Sequence, residues 1–131
     1  VIGSPGAYIP GDPPTDYFFM TPEERQAVLF NDALVMPEIN EDHSVRNQAM
    51  TARLVWQPRY ISPKLEHRIH RIAAPTLVVW GSDDRFLSQA HGQALVAGLP
   101  SGSLALVPDA GHFAQLDQPS KTAKTILDYL S

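Results

Sequence analysis

Two residue types that move protons stand at matched places in this chain. His112 lies in Pro108-Asp109-Ala110-Gly111-His112-Phe113, and the acid pair Asp83-Asp84 lies in Trp80-Gly81-Ser82-Asp83-Asp84-Arg85. Asp84 and His112 are 28 residues apart, and each follows a short apolar run, Leu77–Trp80 or Leu104–Val107. A histidine can accept and return a proton near neutral pH. A carboxylate on its second ring nitrogen fixes the tautomer and stabilises the imidazolium. Gly111, just before His112, permits a tight turn and close approach of neighbouring backbone, as a base projecting into a cleft needs. A lone Gly-His dipeptide would mean little; its place after an apolar strand, beside the acid turn, points to acid–base chemistry.

The elements that must hold these residues follow from the pattern. Leu77–Trp80 and Leu104–Val107 read as parallel strands covered on both faces. Between them Ser88–Leu99 is helical in pattern, and Pro119–Leu130 predicts a final helix with Ala123, Ile126, Leu127 and Leu130 on one side. Val1-Ile2-Gly3 reads as the end of another buried strand, and residues 5–14, with four prolines and two glycines, as loop. Thr21-Pro22-Glu23-Glu24 is a helix start with a capping box and proline at the first helical position, running to about Asn31, with Pro37 limiting extension. A second helix is predicted over Ser44–Trp56 with Val45, Met50 and Leu54 on its apolar face, closed by Gln57-Pro58. A third is predicted from Pro63 to about Arg71, capped by Ser62. Strand, helical insert, then strand-helix-strand-helix argues for an α/β fold with a parallel sheet and right-handed crossovers. Three strands cannot cover both faces of such apolar runs, and each Leu or Val left in water forfeits roughly 1.5–3 kcal/mol. The chain is therefore expected to need a partner surface.

Composition excludes several classes. A chain of 131 residues is one domain or less, and 44% hydrophobic with 18% charged residues is ordinary for a globular protein. A net charge of −4 leaves no electrostatic footprint for nucleic acid or an anionic membrane; the basic run Lys64–Arg71 reads as a solvated helix face. The absence of cysteine removes disulfides and thiolate chemistry and fits a reducing cytosol, so a cytoplasmic protein is expected. No apolar run approaches the ~20 residues of a membrane helix, and no signal peptide is visible. A start at Val1-Ile2-Gly3, inside a strand pattern and without methionine, suggests a fragment or processed subunit.

Residues 75–131 resemble the seventh strand to the last helix of the α/β-hydrolase family, residues 1–6 the end of its sixth strand, and about 13–72 the helical cap inserted between them. The resemblance divides the chain into 1–12 (core strand end and loop), 13–72 (cap) and 73–131 (C-terminal core). It implies a triad in chain order Ser, Asp, His. The family's acid typically sits in a Gly-x-x-Asp turn, matched by Gly81-Ser82-Asp83-Asp84, which makes Asp84 rather than Asp83 the acid and His112 the base. Trp56-Gln57-Pro58-Arg59 and Pro63-Lys64-Leu65-Glu66-His67-Arg68 resemble the cap exit of a bacterial subgroup holding esterases and carbon–carbon bond hydrolases. Some carbon–carbon hydrolases carry Trp after the histidine where this chain has Phe113.

The nucleophile is the departure. No Gly-x-Ser-x-Gly elbow occurs; Ser4, Ser82, Ser88 and Ser103 lie in other contexts, and the oxyanion-hole donors belong with the same absent half. The expectation is the C-terminal part of a serine-type hydrolase, completed by the N-terminal half of the fold on the same parent chain or a second subunit. It would cleave an ester or activated C–C bond of a small apolar or aromatic molecule without a cofactor. An aspartate nucleophile, as in dehalogenases and epoxide hydrolases, stays open. The alternative is a non-catalytic small-molecule-binding protein on the same scaffold.

Tyr17, Phe18, Phe19, Met20, Leu29, Phe30, Leu34, Val35, Met36 and Trp56 make the insert strongly apolar. Most fit ordinary packing; Phe18, Phe19, Trp56 and Phe113 are candidate substrate contacts. His67 and His70 share a helix face beside Glu66 but lack a fourth ligand, so no metal is expected, and His43 and His91 read as surface residues.

Overall fold

Two parallel strands form because their residues suit a doubly covered sheet. In a computed structural model, which describes residues 1–32, 41–56 and 60–131 (41–44 by backbone only), β1 is Thr76–Gly81 and β2 is Gly102–Val107. They pair in parallel from Thr76 opposite Gly102 to Gly81 opposite Val107. Side chains alternate between faces, so Val78 and Trp80 enter one core while Val79 enters another with Val107, Ala110 and Ala114. Helix α4, Gln89–Gly98, is capped by Ser88, contacts both strands and sends Leu95 into the first core. Helix α6, Pro119–Leu130, follows the short α5, Ala114–Asp117, and packs Ile126 on the second. Val78, Val79, Trp80, Leu87 and Val107 are fully buried; at roughly 1.5–3 kcal/mol for each aliphatic side chain, this apolar centre dominates the local stability.

The predicted first strand is reduced to one parallel bridge, Ile2 to Val79, with Gly3 N–H donating to Val79 O and Val79 N–H to Val1 O. Beside it runs an open groove of about 340 Å³ along Ile2, Thr76, Leu77, Val79, Ile126 and Tyr129. Leu106, Leu127 and Leu130 are exposed, so the apolar side chains of β2 and α6 are only partly covered.

Residues 15–72 supply helices. A 3₁₀ turn at Tyr17–Phe19, unforeseen in the sequence, is capped by Asp16. The capping box is present: Thr21 accepts from Glu24 N–H and Glu24 from Thr21 N–H, starting α1, Pro22–Leu29. Helix α2, Glu41–Val55, turns opposite to expectation: Val45, Met50 and Leu54 are exposed, whereas Gln48, Thr51, Ala52 and Val55 face inward. Those four share one stripe at spacings of three and four, and its bulkiest member, Val55, packs on the core. The third helix breaks after one turn: α3 is Pro63–Glu66 and a 3₁₀ turn covers Ile69–Arg71. The break lets Ile69 lie against Gly98 of α4, where an added Cβ would stand 2.6 Å from its Cγ2. The predictions at Leu34, Val35, Met36, Pro37, His43 and Gln57-Pro58-Arg59 fall outside the described residues or side chains. No helix among the described residues is long and apolar enough to cross a membrane.

Candidate active site

Asp84 and His112 leave the same end of the sheet. β1 finishes at Gly81, and the turn after it folds back on the Asp84 carboxylate, whose Oδ1 accepts Phe86 N–H and Leu87 N–H, each at 2.9 Å. Trp80 Nε1 donates to Leu87 O at 3.0 Å, tying the far end of that turn to the strand. The second oxygen, Oδ2, lies 3.0 Å from His112 Nδ1. The Asp84 side chain is 0% exposed and that of His112 10%. An ionised carboxylate only accepts hydrogen bonds, so this contact favours the tautomer with the proton on Nδ1, which in the neutral ring leaves the lone pair on Nε2. Asp83, the alternative acid, is exposed and accepts instead from Ser82 Oγ at 3.2 Å.

Backbone stitching brings the turns this close. Ser82 N–H donates to Val107 O and Asp83 N–H to Ala110 O, each at 2.9 Å, and Ser82 Oγ accepts Asp109 N–H at 3.0 Å. A Cβ on Gly81 would stand 2.1 Å from Gly111 O, so only glycine admits the approach. Gly3 packs on the other side of the base: at φ +49° it meets the His112 carbonyl and imidazole where a Cβ would be 2.8 Å from the oxygen.

His112 opens onto a cavity of about 280 Å³ walled by Tyr17, Leu29, Val55, Tyr60, Phe86 and Phe113, with Thr51 as a polar member. Phe86 and Phe113 stand edge-on to the imidazole, at centroid distances of 4.8 and 5.1 Å. Tyr60 holds φ +55°, a costly backbone state for a tyrosine, and its ring is edge-on to Phe86 at 4.9 Å and stacked on Phe18 at 6.0 Å. Such walls can take a small apolar or aromatic group, and a histidine among them can exchange a proton with it.

Of the candidate contacts, Phe113 lines this cavity. Phe18 and Trp56 do not: they pack edge to face on one another at 5.5 Å, Phe18 lying behind Tyr60. Phe19 is 79% exposed and stands outside the wall, because the 3₁₀ turn directs Tyr17 and Phe18, and not Phe19, against the core. His91, expected at the surface, is a correction: it is 1% exposed in the first turn of α4. His67 and His70 are exposed, and no group of three metal-ligating side chains occurs among the described residues. Among the same residues no serine hydroxyl hydrogen-bonds to His112; Ser82 engages Asp83 and Asp109, and Ser88 engages Asp12. Gly3, Tyr60 and Phe86 escaped sequence reasoning. Only Gly3, a glycine ending a strand pattern, carried a local signal.

The fold is shared with known proteins. The alpha/beta hydrolase family model matches residues 2–125. The chain is 42% identical over 117 residues to 2-hydroxy-6-oxo-6-phenylhexa-2,4-dienoate hydrolase of Burkholderia cepacia, covering 79% of this chain and 38% of that protein. It is 32% identical over 113 residues to 2-hydroxy-6-oxononadienedioate/2-hydroxy-6-oxononatrienedioate hydrolase of Comamonas testosteroni, with the same coverages. Among solved structures, the meta-cleavage product hydrolase of Pseudomonas fluorescens IP01 superposes with a TM-score of 0.73 at 14% identity, over 98% of this chain and 53% of that one. The chain thus spans well under two thirds of these relatives. With a family match over nearly its whole length and the parallel α/β core in place, the chain belongs to the alpha/beta hydrolase family.

Proposed function

We propose that this chain is the C-terminal part of a serine-type hydrolase that cleaves an ester or an activated C–C bond of a small apolar or aromatic substrate. In this reading Asp84 and His112 complete a triad whose nucleophile lies outside residues 1–131. Residues 13–72 act as the cap, and the N-terminal half of the fold covers the apolar side of β2 and α6. The observation that carries the reading is the 3.0 Å contact between His112 Nδ1 and the fully buried Asp84 carboxylate, at the wall of an apolar cavity.

The chemistry follows from that contact. His112 Nε2 takes the proton of the nucleophile's hydroxyl as its oxygen attacks the substrate carbonyl. Asp84 stabilises the imidazolium, and the same proton passes to the leaving oxygen or carbon as the bond breaks. Water, deprotonated by the same nitrogen, then adds to the acyl carbon; the bond to the nucleophile's oxygen breaks, and the proton on His112 returns to that oxygen. Phe86, Phe113 and Tyr60 exclude bulk water and hold an apolar substituent beside the base. The C–C variant draws support from the names of the similar enzymes, and the ester variant from the generality of acyl transfer at such a pair.

The test is turnover of aryl esters and of 2-hydroxy-6-oxo-dienoates by the complete natural protein and by His112→Ala. Turnover in the wild type and its loss in the variant are expected. Normal turnover in His112→Ala would overturn the reading, whereas tight binding without turnover in the wild type would favour a binding protein on this scaffold.

A further inference from the structure

We propose that Asp117 is a positioning residue for His112, clamping the turn that bears the base to the end of helix α1. The residue is 7% exposed, and its carboxylate accepts three backbone N–H groups: Gly111 at 2.7 Å and Asn31 at 2.9 Å on Oδ2, and Asp32 at 3.2 Å on Oδ1. A buried carboxylate is retained only where such donors satisfy it, and these come from two segments 80 residues apart in sequence. Gly111 immediately precedes the base. On its other side Phe113 N–H donates to Leu29 O at 3.3 Å, so the backbone of His112 is fastened before and after to residues 29–32 while its ring is held by Asp84.

The acid turn reaches the same segment. Arg85, next to Asp84, donates to Ala27 O at 2.6 Å and to Asn31 Oδ1 at 3.1 Å, and Asn31 Nδ2 donates to Asp109 O at 3.1 Å. Residues 27–32 therefore brace both turns, and Asp117 is the charged member that locks the base turn onto the brace. Asparagine cannot replace it: its NH₂ would face a backbone N–H wherever the amide is turned. A displaced α1 end would then carry the imidazole away from Asp84.

The activity part of the test rests on the function proposed above, and the spectroscopic part does not. In the complete natural protein, Asp117→Asn is compared with Leu95→Ala, a truncation of a buried core side chain on α4 that is chosen to match its loss of thermal stability. The readouts are the low-field proton resonance of His112 Nδ1–H and the split of kcat and KM. Asp117→Asn is expected to shift or broaden that resonance and to lower kcat by about 10- to 100-fold with little change in KM, as for a misplaced catalytic group. Leu95→Ala keeps both. A wild-type resonance and kcat in Asp117→Asn would overturn the proposal. Should that variant not fold, Asp117→Glu, which keeps the charge but displaces it by one methylene, is read in the same way: an unmoved resonance and kcat overturn it. A moved resonance in a protein without turnover upholds the clamp and removes the catalytic reading instead.

Discussion

His112, in the turn after β2, and His91, in α4, each lie near an aspartate, yet they are built differently. His112 Nδ1 is 3.0 Å from an Asp84 carboxylate that is 0% exposed and already accepts two backbone N–H bonds. His91 Nδ1 is 3.9 Å from Asp12, whose side chain is 42% exposed, and the Ser88 hydroxyl stands between them, donating to Asp12 and lying 3.4 Å from the ring. His112 lines a cavity; His91 is fully buried, and its Nε2 has no hydrogen-bond partner among the described residues. Nearness of an acid is therefore a weak criterion for a base. What separates the pairs is an acid held by its own backbone hydrogen bonds, and a histidine that lines a cavity rather than lying sealed in the core.

That contrast can be broken at either end. Replacing Asp84 with Asn keeps the shape of the turn but presents an amide to His112, which favours the wrong tautomer. Turnover of the complete natural protein should fall on the order of 10⁴-fold with the fold retained, as in a protease triad. Full kcat in this variant would put the two histidine neighbourhoods on one footing. His91→Ala should act on the other quantity: loss of a fully buried ring on α4 is expected to lower unfolding free energy by about 2–4 kcal/mol, measured by denaturant titration, with kcat within about twofold of wild type. A collapse of kcat without loss of stability would move His91 into the site. The smallest effect is expected at Ser88→Ala. It removes the N-cap acceptor of Ala90 N–H and the link to Asp12, and should cost about 1 kcal/mol in the same titration with no change in turnover.

Much of the core was legible because its signals are local. Thr21, Pro22 and Glu24 start a helix through bonds spanning three residues, Ser62 does likewise, and the apolar runs ending at Trp80 and Val107 are the two parallel strands. The pairing of Asp84 with His112 was readable for a related reason: consecutive parallel strands deliver their following turns to the same edge of a sheet. Helix α2 was misread because apolar residues occur on more than one of its sides, and contact with the cavity wall, not hydropathy, selects the side that packs. His91 was misread because a histidine in a helix carries no mark of burial; the Trp80 ring packs against its neighbour Gly92, so this turn of α4 lies on the core.

The residue types, the order of elements and the spacing between acid and base are properties of the sequence alone, since capping, turn chemistry and hydrophobic periodicity act over a few residues. Where the cavity opens, and that Gly3, Gly81 and Asp117 close around the turn bearing His112, were decided by tertiary structure. Each depends on segments tens of residues apart arriving within hydrogen-bond or van der Waals range, and short-range contacts of that kind are specified only when the whole core packs.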